Sequence, residues 1–370
     1  MRIALSNSSP KWGGLHVITE VLARGLQTRG HEVVLFGYPG SPLEARLKNV
    51  APFEGIGPGM DLSPLALRRA TRALRRHRIE VVLAMTKKDV RHTVPAAWML
   101  GIPSIVRYPN DRPLRGGIYD RVFFGKLPIA HITNSHATRK TLLKSAPWLT
   151  RRSIKVIHNG IDSRSFEFAE KADLGLPPDA LVVGFLGRLE RRKGLIDLAN
   201  AWISIALNLP HAHLVIAGSG PDETEAKAIL ESAPRVHWLG FRKDVPSVLK
   251  AFDMTVVPSH WEGFGLVAAE ALLAGSAVIA ANASSLPEII TDGIHGRLVP
   301  PHDPASLGEA IVRLAGDPEE RSRLAAAGRA RVLDEFSATA MVDRFEETLR
   351  DVVAQRHEYA KSDVHARFHG

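Results

Sequence analysis

The chain has 370 residues, with 48 Lys and Arg, 39 Asp and Glu, and a formal net charge of +9. At roughly 150 residues per domain, that length favours two domains. Hydrophobic residues at 45% and charged residues at 24% exclude a generally disordered chain, and the absence of cysteine excludes disulfides, thiolate metal sites and a cysteine nucleophile. No apolar run approaches the roughly 18 residues that a membrane span needs. The opening MRIALSNSSPKW carries an apolar run of only three residues, too short for a secretory signal. With the missing cysteines, this predicts a cytoplasmic protein. The charge is uneven: residues 1–165 carry 27 Lys and Arg against 10 Asp and Glu, and the remainder carries 21 against 29. A net +17 in the front half predicts an anionic partner there, such as a phospholipid surface, a phosphorylated acceptor or nucleic acid.

In chain order, Arg2–Ser6 reads as a strand, 7–14 as a polar Gly-bearing loop, Val17 to Leu26 as a helix ending at Gly30, and Glu32–Phe36 as a strand. This is a βαβ unit and implies a parallel sheet. Residues 65–78 form a helix whose narrow apolar stripe is Leu67, Ala70, Thr71 and Leu74, with six arginines between Arg68 and Arg78 on the rest. Such a helix can pack on a sheet and still turn its cations to an anionic membrane. Further strands follow at 81–84, 104–106, 129–134 and 154–157, with helices at 94–100 and 137–144. A second series begins after the Pro-containing stretch 173–178. Its strands are 181–186, 213–217, 236–239, 254–257 and 277–280, and its helices 195–207, 223–231 and 266–273. The expected organisation is an α/β fold of two Rossmann-like parallel-sheet domains facing across a cleft. It comprises a first domain at 1–165, a linker at 166–178, a second domain at 179–337, a helix at 338–356 returning to the first domain, and a polar tail at 357–370. In open sheets of this kind, ligands sit at the carboxyl ends of the strands.

The most informative segment is PSHWEGFGLVAAEALLAGSAVIA, residues 258–280. A strand leads into a loop with Glu262, Gly263, Phe264 and Gly265, and then into a helix starting at Leu266 that carries Glu270. Loop and helix-start amides aimed at one point bind anions and hydroxyls, and the two carboxylates can grip two parts of one long ligand. The alternative is a helix cap followed by a surface acid.

The E-x7-E spacing of Glu262 and Glu270 resembles that of the retaining GT-B glycosyltransferases of family 4. Gly187-Arg188-Leu189-Glu190-Arg191-Arg192-Lys193-Gly194 resembles the family's G-R-L-x-x-x-K-G signature, and Gly13-Gly14 its N-terminal loop. Asn134-Ser135, residues 156–162 (VIHNGID) and the turn 217–221 (AGSGP) are similar to further markers, in the family's order, over residues 1 to about 350. The resemblance implies a metal-independent transferase that moves a hexose from a UDP- or GDP-sugar to a cell-envelope or lipid-linked glycan. The nucleotide sugar is its substrate, and it has no cofactor. Arg188 and Lys193 are expected at the diphosphate, Glu270 at the ribose, and Glu262 with the amides of Phe264, Gly265 and Leu266 at the sugar and phosphate. Gly14 is expected to let backbone approach the diphosphate, with Gly13, Gly187 and Gly218 in the same donor set, and Phe241 and Arg242 near the base. Catalytic weight falls on Glu262, Arg188 and Lys193. Where many relatives carry a His after the strand at 104–106, this chain has Arg107-Tyr108-Pro109-Asn110-Asp111. Arg107, Asn110, Asp111 and His16 are therefore the acceptor-side candidates. No Asp-x-Asp pair or His-Glu-x-x-His spacing occurs, so no metal site is expected.

Three rivals are weaker. A small-molecule acceptor would suit a fully soluble enzyme. A nicotinamide oxidoreductase would use Gly218-Ser219-Gly220, but Glu223 stands where the third glycine belongs. A nucleic-acid partner lacks an aromatic-rich basic strand, and none is expected. The localisation expected is the cytoplasm, with peripheral contact at the inner membrane face.

Overall fold

The structure, a computed structural model, describes residues 1–9, 13–56, 63–110, 113–114, 116–149 and 153–368. The chain divides into two compact units, residues 1–160 with 338–370, and residues 161–337.

The first unit is built on a seven-stranded parallel sheet. Its strands are β1 (Arg2–Asn7), β2 (Glu32–Gly37), β3 (Phe53–Gly55), β4 (Val81–Ala84), β5 (Ser104–Tyr108), β6 (Ala130–Thr133) and β7 (Ser153–Val156), in the order β3-β2-β1-β4-β5-β6-β7. Runs such as VVLA in β4 are buried at every position, as expected of parallel strands covered on both faces. Helix Gly14–Thr28 follows β1 and packs against helix Ala338–Phe368. A Cβ on Gly25 would lie 2.6 Å from Val342 Cγ2, so the glycine permits that close approach. Arg29 pairs with Asp343 and Glu346, and His31 Nε2 lies 3.0 Å from Glu346 Oε1. The sequence reading ended this last helix at residue 356. The structure continues it to Phe368, because residues 357–368 contain neither proline nor glycine.

The second unit has β8 (Leu181–Leu186), β9 (Ala212–Ala217), β10 (Val236–Gly240), β11 (Met254–Val257), β12 (Ala277–Ala281) and β13 (Arg297–Val299), parallel, in the order β10-β9-β8-β11-β12-β13. Alternate residues feed two cores. Val183 and Phe185 join the cluster around Trp202, and Val182 joins the one around Phe252 and Leu272. The division falls at residues 160/161 rather than at a linker over 166–178. Ile161 and Phe166 are buried in the second core, and the Ile161 N–H donates to the Phe336 carbonyl at 2.8 Å. Two helices passed over in the sequence, Pro304–Gly316 and Pro318–Glu335, start with Asp-Pro. Asp303 and Asp317 accept from the N–H of Ser306 (3.0 Å) and Glu320 (2.8 Å).

Helix Pro64–Arg76 packs by Ala66, Ala70, Ala73 and Leu74, a stripe rotated slightly from the one read in the sequence, with Leu67 partly buried beside it. Arg68, Arg69, Arg72, Arg75, Arg76 and Arg78 are exposed, and Arg76 pairs with Glu54. No helix among the described residues is long and apolar enough to cross a membrane.

Candidate donor site

In the second unit, β8 has β9 on one side and β11 on the other, so the crossovers from β8 and β11 leave the sheet at its switch point, where open α/β sheets bind ligands. The loop after β8 carries Arg188 and Lys193, and the loop after β11 carries Glu262. Their separation depends on a glycine. Gly194 adopts φ 73°, and a Cβ there would stand 2.0 Å from the Pro258 carbonyl oxygen. Only glycine lets the two loops pass this closely.

The contact brings Lys193 Nζ onto Glu262 Oε1 across 69 residues of sequence. Ser259 Oγ donates to the same oxygen at 2.9 Å, and Arg192 stands 3.9 Å from the other. Arg192 also pairs with Glu190, and its guanidinium lies 4.8 Å from the Trp261 ring centroid. The Glu262 backbone carbonyl accepts from Ser284 Oγ (2.6 Å) and Ser285 Oγ (3.2 Å), which fixes the loop. Sequence reasoning missed Arg192, Ser259, Ser284 and Ser285. Arg192 lies inside the basic signature and could have been found, but the two serines lie 22 and 23 residues downstream with no local mark.

Helix Leu266–Ala274 begins at Gly265, whose φ of 94° makes the turn from loop to helix. A side chain on Gly265 would press on Leu286 Cδ2 at 2.8 Å. Gly263 and Phe264 are buried, and the Phe264 ring lies edge-on to Phe336 at 5.5 Å. Leu266 is half-buried. Desolvation pushes the Glu270 carboxyl up to about 7, against the pull of the Lys193 charge. Lys193 therefore acts on both acids of the E-x7-E pair.

The other donor candidates lie nearby in the fold but not in this ion-pair cluster. Arg188 follows β8 with its side chain 69% exposed, 3.5 Å from Glu190. Gly187 has open space where a Cβ would stand. Gly218 and Gly220 face the β8 loop: a Cβ on either would meet the Gly187 carbonyl at 1.8 Å or the Leu189 carbonyl at 2.2 Å. These glycines serve loop packing, which removes the reason to read them as a dinucleotide cradle. Phe241 is 63% exposed after β10, and Arg242 is forked onto Asp244, Nε to Oδ1 at 2.8 Å.

In the first unit, Gly13 and Gly14 are exposed at the start of helix Gly14–Thr28. The acceptor-side candidates fare differently. His16 is buried, with Nε2 3.1 Å from the Ser9 carbonyl and its pKa lowered by desolvation. Arg107 is buried in β5, where it donates to Asn159 Oδ1, and desolvation pulls its pKa down to about 10. A central strand covered on both faces keeps that side chain inside, so neither His16 nor Arg107 presents its side chain to solvent. Asn110 is exposed; Asp111 lies outside the described residues.

Two comparisons of sequence and one of structure bear on identity. Residues 12–165 match the family model described as Glycosyltransferase Family 4, and residues 166–331 the model described as Glycosyl transferases group 1. The alpha-maltose-1-phosphate synthase of Mycobacterium tuberculosis is 31% identical over 296 residues, 70% of this chain and 76% of that protein. The lipopolysaccharide core biosynthesis glycosyltransferase LpsD of Rhizobium meliloti is 28% identical over 349 residues, 93% and 97% of the two chains. Among solved structures, Anabaena Alr3699/HepE in complex with UDP and glucose superposes with a TM-score of 0.80 at 22% identity, covering 95% of this chain and all of that one. Two parallel-sheet Rossmann-like units with these likenesses define a GT-B glycosyltransferase. Within that class, the chain belongs to the group 1 glycosyltransferases.

Proposed function

We propose that the chain is a retaining hexosyltransferase that takes its sugar from UDP- or GDP-hexose and delivers it to a cell-envelope or lipid-linked glycan. The observation that carries this is the Lys193–Glu262 ion pair, whose cation also lowers the Glu270 carboxyl, beside the exposed Arg188 at the end of β8. Arg188 forks onto diphosphate oxygens and Lys193 adds a point charge where leaving-group charge develops. Glu270 accepts from the ribose hydroxyls. Glu262 and the amides of Phe264, Gly265 and Leu266 hold the sugar, and Phe241 and Arg242 neighbour the base. The acceptor oxygen bonds to the anomeric carbon as the bond from that carbon to the phosphate oxygen breaks. The acceptor proton passes to the leaving phosphate on the same face, so the configuration is kept and no protein nucleophile is required.

The name of LpsD supports an envelope acceptor, and its match extends over nearly the whole of both chains. The six exposed arginines of residues 68–78 support a peripheral position on an anionic inner membrane face, at roughly 1 kcal/mol per cation near the surface. A small phosphorylated acceptor is the second reading, favoured by the name of the maltose-1-phosphate synthase relative. The absence of an Asp-x-Asp pair supports transfer without a divalent metal or cofactor, so excess chelator is expected to leave the rate nearly unchanged. Calorimetry tests the donor site: Arg188→Ala should weaken UDP or GDP binding by about 2–4 kcal/mol, and unchanged affinity for both would remove the assignment.

A further inference from the structure

Asp197, His260 and His302 are far apart in sequence and played no part in the donor site, yet the second unit gathers them at one point. Asp197 opens helix Leu195–Ile205, His260 lies in the loop after β11, and His302 in the loop after β13. Their ligand atoms all lie within 4.8 Å of one another. His260 Nε2 stands 2.7 Å from Asp197 Oδ2, and the two imidazole rings are 3.6 Å apart between centroids. Asp197 and His302 line one small crevice with Pro258, Val299 and Pro300. His302 holds this place with φ 60°, a left-handed conformation uncommon outside glycine.

An Asp–His pair alone would account for His260. It does not account for a second imidazole laid against the first beside the same carboxylate. Two neutral imidazoles and one carboxylate are the donor set that suits Zn²⁺, with a fourth tetrahedral position left to water. Tetrahedral zinc bonds of about 2.0–2.2 Å put ligand atoms about 3.3–3.6 Å apart, so the 2.7 Å Asp197–His260 contact opens when the ion enters.

We infer that Asp197, His260 and His302 form a binding site for a first-row divalent transition cation of the zinc type. Asp197 is four residues after Lys193, and His260 is two before Glu262. The backbone N–H of His260 also donates to the Arg192 carbonyl at 2.9 Å. A cation here ties the two loops of the donor site to each other and to the loop after β13. It supplies a brace beside the reaction centre and takes no part in the transfer itself.

The test uses the full chain, stripped with chelator and titrated with Zn²⁺ or Mg²⁺. Zn²⁺ should bind with one equivalent lost in His302→Asn, whose side chain tolerates the left-handed backbone, and in Asp197→Asn. It should raise the melting midpoint on the order of 5 °C at a hundredfold excess over Kd, and Mg²⁺ should not. Each variant should weaken that equivalent at least tenfold while melting, without metal, near the parent. Zinc stoichiometry and affinity unchanged in both variants, or equal stabilisation by Zn²⁺ and Mg²⁺, overturns the site.

Discussion

The two sheets place their switch points alike, β1 between β2 and β4 in one unit and β8 between β9 and β11 in the other, but they join the loops there by opposite chemistry. In the first unit, Asp89 after β4 reaches the loop after β1 and accepts from the Ser8 N–H at 3.0 Å. Its other oxygen accepts from the Thr86 N–H at 2.7 Å. It is 1% exposed, and desolvation raises its pKa despite those bonds. In the second unit, the loops meet through Lys193 and Glu262, with Arg192 and exposed Arg188 alongside. A carboxyl satisfied by amides inside a core is architecture. A cation paired with one acid while its charge bears on a second is charge held ready for a ligand.

The largest effects should separate these two joints. Lys193→Ala is expected to lower turnover by about 10²–10³-fold, with a matching loss of nucleotide affinity. Asp89→Asn turns an amide N–H toward a backbone N–H and should cost about 1–3 kcal/mol of stability, with UDP affinity kept. Denaturant melts and calorimetry on the pair decide it, and equal loss of nucleotide binding in both would erase the distinction.

A smaller effect sharpens the second joint. The folded pKa of Glu270, about 7, lies above its ordinary value. Its contribution to stability is therefore present at acid pH and fades as pH rises through about 7, when the desolvated carboxylate ionises. Glu270→Gln should melt higher than the parent at pH 8, with the gap closing toward pH 5. Ribose hydroxyls are best accepted by the ionised form, so parental UDP affinity should climb through the same range. The Gln variant should bind weakly without that inflection. A parallel pH profile in both proteins would detach Glu270 from the nucleotide.

The smallest change in stability, about 0.5 kcal/mol or less, is expected on replacing Arg68, Arg72, Arg75 and Arg76 with Gln, because the helix packs by its alanines and Leu74. Vesicle co-sedimentation should nevertheless fall. In the parent it should require anionic lipid and weaken as the Debye length drops from about 10 Å at 0.1 M salt to about 3 Å at 1 M. Equal sedimentation with neutral and anionic vesicles, or none with either, would leave the arginine face without a membrane role.

Residues 81–84, 181–186 and 254–257 read as strands directly from the sequence and fold with those bounds, because continuous apolar runs between turn residues have few other ways to be buried. The strand–loop–helix around Glu262 and Glu270 was equally local, since its glycines and its spacing lie within one short segment. What the sequence could not assign were partners set by crossovers. Lys193 meets Glu262 only because parallel β8 and β11 lie side by side and Gly194 has no side chain to hold their loops apart. The boundary at 160/161 likewise depends on Ile161 reaching Phe336. The burial of Arg107 and the meeting of Asp197, His260 and His302 follow from sheet order, a non-local property that no window of sequence contains.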